Sequence, residues 1–290
     1  MATLENKIDF AVILHVTKAN PNGDPLNGNR PRMDYDGYGE ISDVCIKRKI
    51  RDRLMEMKEH SVLIQCDDRK TDDARSIKSR IENGLKAELN SGKKDLFAKA
   101  ACAKWFDVRA FGQVFAFTSD KKKGKKSAEG EEPTNDTGIS IGVRGPVTVH
   151  SAFSKETIRP ESIQITKSLN TEDVEGDKKG SDTMGMKHRV DKGVYVFYGS
   201  INPQLAERTS FSSEDAEVIK SILPKLFEND ESSARPAGSM EVITLFWWNH
   251  GCKAGKYSSA KVHRSLTVNP DGSYSISDLE GLAPEIIDGF

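Results

Sequence analysis

Asn20, Asn22, Asn27, Asn29, Arg30 and Arg32 crowd into one stretch, Asn20-Pro21-Asn22-Gly23-Asp24-Pro25-Leu26-Asn27-Gly28-Asn29-Arg30-Pro31-Arg32. Arginine forks match phosphate oxygens, and asparagine amides can donate to phosphate or to a 2′-hydroxyl. Three prolines restrict the backbone of the stretch, and its two Asn-Gly steps permit left-handed turns. Polar groups on a stiff loop with little apolar area suit a phosphodiester backbone. Just downstream, Lys47–Arg53 holds five basic residues and one acidic. Two other readings of the loop stay open. Its asparagines could be spent on Asx turns within their own backbone. Asn22, Asp24 and Asn27, with Asp34 and Asp36 nearby, could also offer oxygen ligands to calcium, although the EF-hand pattern of carboxylates and a terminal Glu is absent.

The elements that must position these groups can be read from pattern. Ile8–Thr17 is β-branched and aromatic, so a strand feeds the loop. Ser42 can cap a helix that runs to about Lys58. Ile46, Ile50, Leu54 and Met57 share one stripe of that helix, and Lys47, Arg48 and Arg51 share a neighbouring face beside the loop. Val62–Cys66 is expected to be a short strand. Thr71–Phe106 is mainly helical with breaks near Gly84 and Gly92, and Asp107–Phe117 is a further strand. Arg109 and Gln113 on that strand are candidates for polar RNA contact. Ser119–Thr137, with its run Lys121–Lys126, is expected to be a mobile surface loop. Gly145–Phe153, Val194–Ile201 and Met240–Trp248 read as strands, with Trp247 and Trp248 in the core. Ser212 or Ser213 starts a helix to about Glu228. Between Pro160 and Asp191 lies an excursion that begins Ile163-Gln164-Ile165-Thr166 and returns through Met184–Val190. It carries Lys167, Lys187, His188 and Arg189, which are cationic or can be, with Met184 and Met186 as flexible apolar groups. Strands and helices mix without regular alternation, which favours α+β over a doubly wound sheet. A ferredoxin-like, RRM-like core with insertions is compatible with that order.

The chain has 290 residues, 36% hydrophobic and 30% charged, with a net charge of −1. The near balance argues weakly against a nucleic-acid binder. It conceals a basic cluster at Lys47–Arg53 and a stretch from Asp271 to Phe290 with five acidic residues and no basic one. No run approaches the roughly 20 apolar residues of a membrane span, so no membrane partner is expected. The polar N-terminus is not that of a signal peptide, and Cys45, Cys66, Cys102 and Cys252 show no metal-ligand pairing. A cytoplasmic protein with reduced thiols, no metal and no cofactor is the reading. The histidines show neither triad nor metal spacing. His188 or His15 would have to serve as general base if the chain cut RNA.

The loop, the following Met33-Asp34-Tyr35-Asp36-Gly37-Tyr38-Gly39 and Ser42-Asp43-Val44-Cys45-Ile46-Lys47-Arg48-Lys49-Ile50-Arg51-Asp52, and the later Thr183-Met184-Gly185-Met186-Lys187-His188-Arg189-Val190 resemble one family. It is the repeated backbone subunit of type I CRISPR Cascade, the seventh Cas family of the RAMP superfamily, with subtype I-C nearest. The resemblance implies a single hand-shaped domain over 1–290. An RRM-like palm would span 1–60, 107–159 and 192–290, with a mainly helical insert at 61–106 and a β-hairpin thumb at 160–191. It also implies that the loop and helix grip CRISPR RNA, and that the thumb crosses the guide and displaces one base at a regular interval. An apolar wedge is the physical means of such displacement. The implied partners are CRISPR RNA, target DNA, further copies in a head-to-tail filament and other Cascade subunits. Members of that family hold the guide rather than cut it. The rivals to this reading are a metal-independent RAMP-type endoribonuclease that processes CRISPR RNA and a calcium or small-ligand module built on the loop.

Overall fold

A computed structural model describes residues 2–117, 139–166 and 184–290. The first strand, β1 (Ile8–Ala19), is twelve residues long and almost wholly buried. It leads into a small ladder of β2 (Gly23–Asp24) and β3 (Arg30–Pro31) that brackets a 3-10 turn at Pro25–Asn27. Then come β4 (Tyr38–Ile41) and helix α1 (Asp43–Glu56). The Ser42 side chain accepts from the Cys45 amide at the start of α1, a cap that typically contributes ~1 kcal/mol. Ile46, Ile50 and Leu54 are buried, as their helical spacing requires, while Met57 stays exposed just past the last turn.

The next stretch departs from expectation. Residues 62–66 form no strand; the Leu63 and Ile64 amides donate instead to the Asp107 carboxylate, at 2.8 and 3.1 Å. Helices α2 (Ile77–Asn90) and α3 (Lys94–Lys104) follow, with a kink at Leu85 beside Gly84 and a break at Gly92. Asp107 to Phe111, read from its composition as strand, belongs to helix α4 (Phe106–Phe111); only Gly112 to Phe117 is strand, β5 (Gly112–Phe117). The switch occurs at Gly112, where φ is +81° and a Cβ would lie 2.4 Å from the Val143 carbonyl oxygen, so only glycine fits. Strand β5 pairs with β6 (Ile139–Arg144). The expected mobile loop at 119–137 lies outside the described residues.

The span expected to be one strand at 145–153 is two, β7 (Val147–Val149) and β8 (Ala152–Thr157). After β9 (Pro160–Thr166), one continuous strand, β10 (Met184–Ile201), unites the return of the excursion with the expected strand at 194–201. Helices α5 (Pro203–Thr209) and α6 (Ser213–Ile222) follow; α6 is capped by Ser212 and ends before Pro224, not at Glu228. The chain closes with β11 (Met240–Asn249), α7 (Ser259–Ser265), β12 (Leu266–Val268), β13 (Tyr274–Ile276) and β14 (Glu285–Asp288).

The fold is mixed α/β around a central antiparallel sheet with strand order β14-β11-β1-β10-β8-β4. Successive side chains of a strand face opposite ways. Phe10, Val12, Leu14 and Val16 of β1 thus join a core with Ile46, Ile50 and Leu54 of α1 and Ala216 and Ile219 of α6. Ala11 and Ile13 face the other side, where Phe246, Trp248, Val262, Leu266 and Leu279 form a second core. The C-terminal elements therefore cover that face of the sheet. A third cluster, including Leu63, Ile81, Phe97, Trp105, Val108, Phe115 and Ile141, sits within the helical stretch and the β5–β6 pair. Among the described residues no helix is long and apolar enough to cross a membrane.

Candidate nucleic-acid interface

Strand β1 ends opposite β10, with Ala19 paired to Val190. Beyond that point β10 pairs with β9 instead, from Val190↔Pro160 to Met184↔Thr166. The Asn-rich loop and a two-stranded arm therefore leave the sheet from the same place. Lys18, at φ +52°, bridges the junction by ion pairs to Asp191 and, at 3.6 Å, to Glu161.

The loop divides into anchors and free groups. Asn20 is buried; its amide Nδ2 donates to the Asn29 carbonyl at 2.7 Å and its backbone N–H to Ala234 at 2.9 Å. Asn22 Oδ1 accepts from both the Ser42 amide (3.0 Å) and the Ser42 hydroxyl (2.8 Å), which ties the loop to the cap of α1. Both were expected to contact RNA; in the structure their side chains satisfy backbone groups the tight loop would otherwise leave unpaired. Asn27, Asn29 and Arg30 are exposed, and among the described residues Arg30 has no acidic partner. Arg32 is half-buried, with Nη2 3.6 Å from Asp24. Leu26 at the tip is 98% exposed, a feature that charge-based reading passes over.

The ligand set considered for calcium does not converge. Asn22 is spent on Ser42, Asp24 accepts from the Leu26 amide and faces Arg32, and Asp34 accepts from the Asp36 and Tyr38 amides. Among the described residues no group of His, Cys, Asp and Glu is arranged to hold a metal ion.

The cationic edge of α1 is only partly free. Lys47 pairs with Asp43 at 2.9 Å, one turn before it. Arg48 is exposed and lies 3.8 Å from Asp52. Arg51 is turned inward: its Nε donates to Asp107 at 2.9 Å, and its guanidinium sits 5.3 Å from the Phe111 ring. Asp107 is itself buried and also receives the Leu63 and Ile64 amides, so Arg51 clamps α1 to the helical stretch. Arg109 is withdrawn in the same way, held by Asp215 through bonds of 2.8 and 3.0 Å and lying 4.6 Å from the Phe106 ring. Gln113 is half-buried and donates to the Val114 carbonyl. Periodicity locates a face but cannot name a carboxylate far along the chain. A support that sequence reading missed is Asp230, which is ion-paired to buried Lys49 and bonded to Arg235 at 3.0 Å. It holds the segment whose Ala234 carbonyl fixes Asn20.

On the arm, directly opposed residues share a face. Met184, Met186 and His188 therefore lie on one face with Thr166, Gln164 and Ser162. Met184 and Met186 are exposed, Gln164 Nε2 lies 2.8 Å from Met184 Sδ, and His188 Nδ1 lies 2.9 Å from the Ser162 hydroxyl. The other face carries Lys187 beside exposed Ile163, and Arg189 bonded to Glu161 at 2.9 Å. Lys167 lies outside the described residues. His15 is on β1, 3.2 Å from Glu241 and 3.4 Å from the Thr17 hydroxyl, and is not assembled with His188 into one site.

CRISPR-associated protein Cas7 of Haloferax volcanii is 25% identical over 293 aligned residues, covering 99% of this chain and 82% of that protein. A chain of a solved CRISPR RNA-guided surveillance complex in a pre-nicking state is 14% identical, with a TM-score of 0.46 over 83% of this chain and 78% of that one. A chain of a type III-B Cmr-beta complex bound to cognate target RNA is 12% identical, with a TM-score of 0.41 over 86% of this chain and 62% of that one. The family model for CRISPR-associated protein Cas7 matches residues 6–282, nearly the whole sequence, and the chain belongs to that family.

Proposed function

We propose that this chain is a non-catalytic, RNA-binding backbone subunit of a type I-C Cascade. Copies assemble head to tail along one CRISPR RNA in the cytoplasm and present its bases to target DNA. Specificity then resides in base pairing, while the protein holds backbone and shape. Family membership supports the CRISPR assignment. The observation that carries the binding role is the common origin of loop and arm where Ala19 meets Val190. Guide contact falls to side chains that no carboxylate or backbone group holds at hydrogen-bond distance: Asn27, Asn29, Arg30, Arg32 and Arg48 beside the loop, and Met184, Met186, Lys187 and His188 on the arm. Asn20, Asn22, Lys47, Arg51, Arg109 and Arg189 support them.

The order β11-β1-β10-β8, antiparallel at each step, supports an RRM-like palm at 1–60, 107–159 and 192–290. The helical insert is then 61–106, and the arm at 160–191 is the thumb. With both methionines on one face, that face is the one to wedge at a base step.

The test is RNA affinity across a salt series for two unrelated sequences. Arg30→Gln should weaken both equally and lower the magnitude of the salt slope by about 0.7, the single-strand value for one phosphate contact. Sequence-selective loss, or an unchanged slope, removes the loop from the site. Cleavage of repeat RNA that His188→Ala abolishes would establish the endoribonuclease instead.

A further inference from the structure

At the far end of α1, roughly 20 Å from the loop by helix rise, a cavity of about 400 Å³ opens between α1 and the helical stretch. Its walls include Lys58, Thr71, Asp72, Arg80, Lys104 and Trp105. The charges there are unevenly spent. Arg80 is buried and uses three of its five donors: Nε and Nη2 donate to Asp72 at 2.6 and 2.8 Å, and Nη1 donates to the Leu63 carbonyl at 2.7 Å. Those bonds consume the Asp72 carboxylate, the acidic group of the wall.

Two cations remain. Lys104 uses one donor on the Gly84 carbonyl, at 3.1 Å, and its ammonium rests 5.7 Å from the Trp105 ring. An ammonium has three donors. Lys58 follows the end of α1 at φ +60°, and among the described residues neither lysine is paired with a carboxylate. A concave wall thus holds two ammonium groups without a carboxylate partner among the described residues, and its one carboxylate is neutralised by a buried arginine. Like charges concentrated in a cleft favour an anion, and tetrahedral oxyanions match lysine donors.

We propose that this cavity is a phosphate-binding site, separate from the guide loop. The phosphate is either free or carried by a nucleic-acid strand. The site has no dependence on the loop's contacts with the guide.

Two probes distinguish the sources: inorganic phosphate, titrated calorimetrically into the full chain in phosphate-free buffer, and a short labelled oligothymidylate, followed by anisotropy. Lys58→Gln combined with Lys104→Gln should weaken at least one probe tenfold or more. Loss of both assigns the site to a strand as well as the free ion; loss of phosphate alone assigns it to the free ion. Loss of oligothymidylate alone assigns it to a strand. Gly84→Ala is a second, independent perturbation. An added Cβ would lie 2.9 Å from Lys104 Nζ and displace it, while alanine favours the helix. It should weaken the same probe. Lys93→Gln with Lys94→Gln, exposed lysines outside the cavity, should leave both probes unchanged. Lys58 and Lys104 are not among the proposed guide contacts, so failure of the guide reading and failure of this one are separable. Parental affinity for both probes in both cavity variants would overturn the proposal.

Discussion

Arg51 separates a positional argument from a chemical one. It lies on the basic face of α1, yet its guanidinium is clamped to Asp107, which is only 1% exposed. Arg51→Met keeps much of the stem's apolar contact and leaves the Asp107 carboxylate buried without its counter-charge. Breaking a buried pair from one side costs ~3–5 kcal/mol. Asp107 retains the Leu63 and Ile64 amides, so the lower end, ~3 kcal/mol, is the expectation. At roughly 2 °C per kcal/mol for a chain near this size, the melting temperature should fall by about 6 °C. Adding Asp107→Asn removes the stranded charge but keeps an acceptor for only one of the two amides, so part of the loss should be recovered. Thermal unfolding by circular dichroism reads both changes, and RNA affinity is measured well below the lower transition. There Arg51→Met should bind with an unaltered salt slope, whereas Arg30→Gln should lower the slope and shift stability by less than about 0.5 kcal/mol. If Arg51→Met melts with the parent but loses salt dependence, the guanidinium reaches RNA and the clamp is wrong.

Burial pushes the Cys102 thiol up to about 11. Iodoacetamide at pH 8 should therefore leave it unmodified in the folded chain and alkylate it on unfolding; equal rates in both states would refute its burial. The C-terminal elements that cover the sheet are latched at Asp9, whose Oδ2 lies 2.8 Å from His250 Nε2 and 3.2 Å from Lys7 Nζ, with His263 3.7 Å from Oδ1. Desolvation lowers the pKa of His263 despite the opposing charge of Asp9, with nearby His150 and Lys7 also lowering it. The stability from neutral His263 is thus present above its unfolded pKa, near 6.5, and is lost as pH falls below it. Burial raises Asp9, but hydrogen bonds from His250 and Ser259 and the charge of Lys7 outweigh it and hold the carboxyl below its ordinary value. Its contribution is lost only at lower pH, as pH falls through that depressed pKa. A melting series from pH 8 to 4 should show declining stability below 6.5, and His263→Asn should flatten the first part of the decline; an identical profile would remove His263 as the titrating group. In target binding by the assembled complex, single mismatches along the spacer should cost ~1–3 kcal/mol each by analogy with protein–DNA sites, except at a regular interval where the arm holds a base out. Met184→Ala with Met186→Ala should blur that interval, and a scan with no period would make the arm ordinary structure.

Much of the frame was legible because its signals are local. The β-branched run of β1, the Ser42 cap of α1 and the apolar strand β11 are each specified by neighbouring residues, and each lies within a few residues of its expected place. Asp107–Phe111 misled because aromatic and β-branched content suits strands and buried helices alike, and tertiary packing decided between them. Residues 62–66 carry strand-like side chains, but the Leu63 and Ile64 amides are captured by Asp107. In the candidate site the loop and the arm were both visible as unusual sequence. Their common origin was not, because it depends on Ala19 meeting Val190 across the sheet. The roles of Arg51 and Arg109 were invisible for the same reason: Asp107 and Asp215 lie 56 and 106 residues further along the chain. Asn20 and Asn22 look like ligands by type and act as brackets by geometry.

The central claim is that several copies share one guide RNA and hold it uncut. Native mass spectrometry of the purified chain, expressed with a single CRISPR array, measures protein copies per RNA and RNA length together. The account predicts one intact RNA of defined length carrying several copies of the chain, with fewer copies when the spacer is shortened. A monomer free of RNA, or a fixed copy number that ignores spacer length, would contradict it.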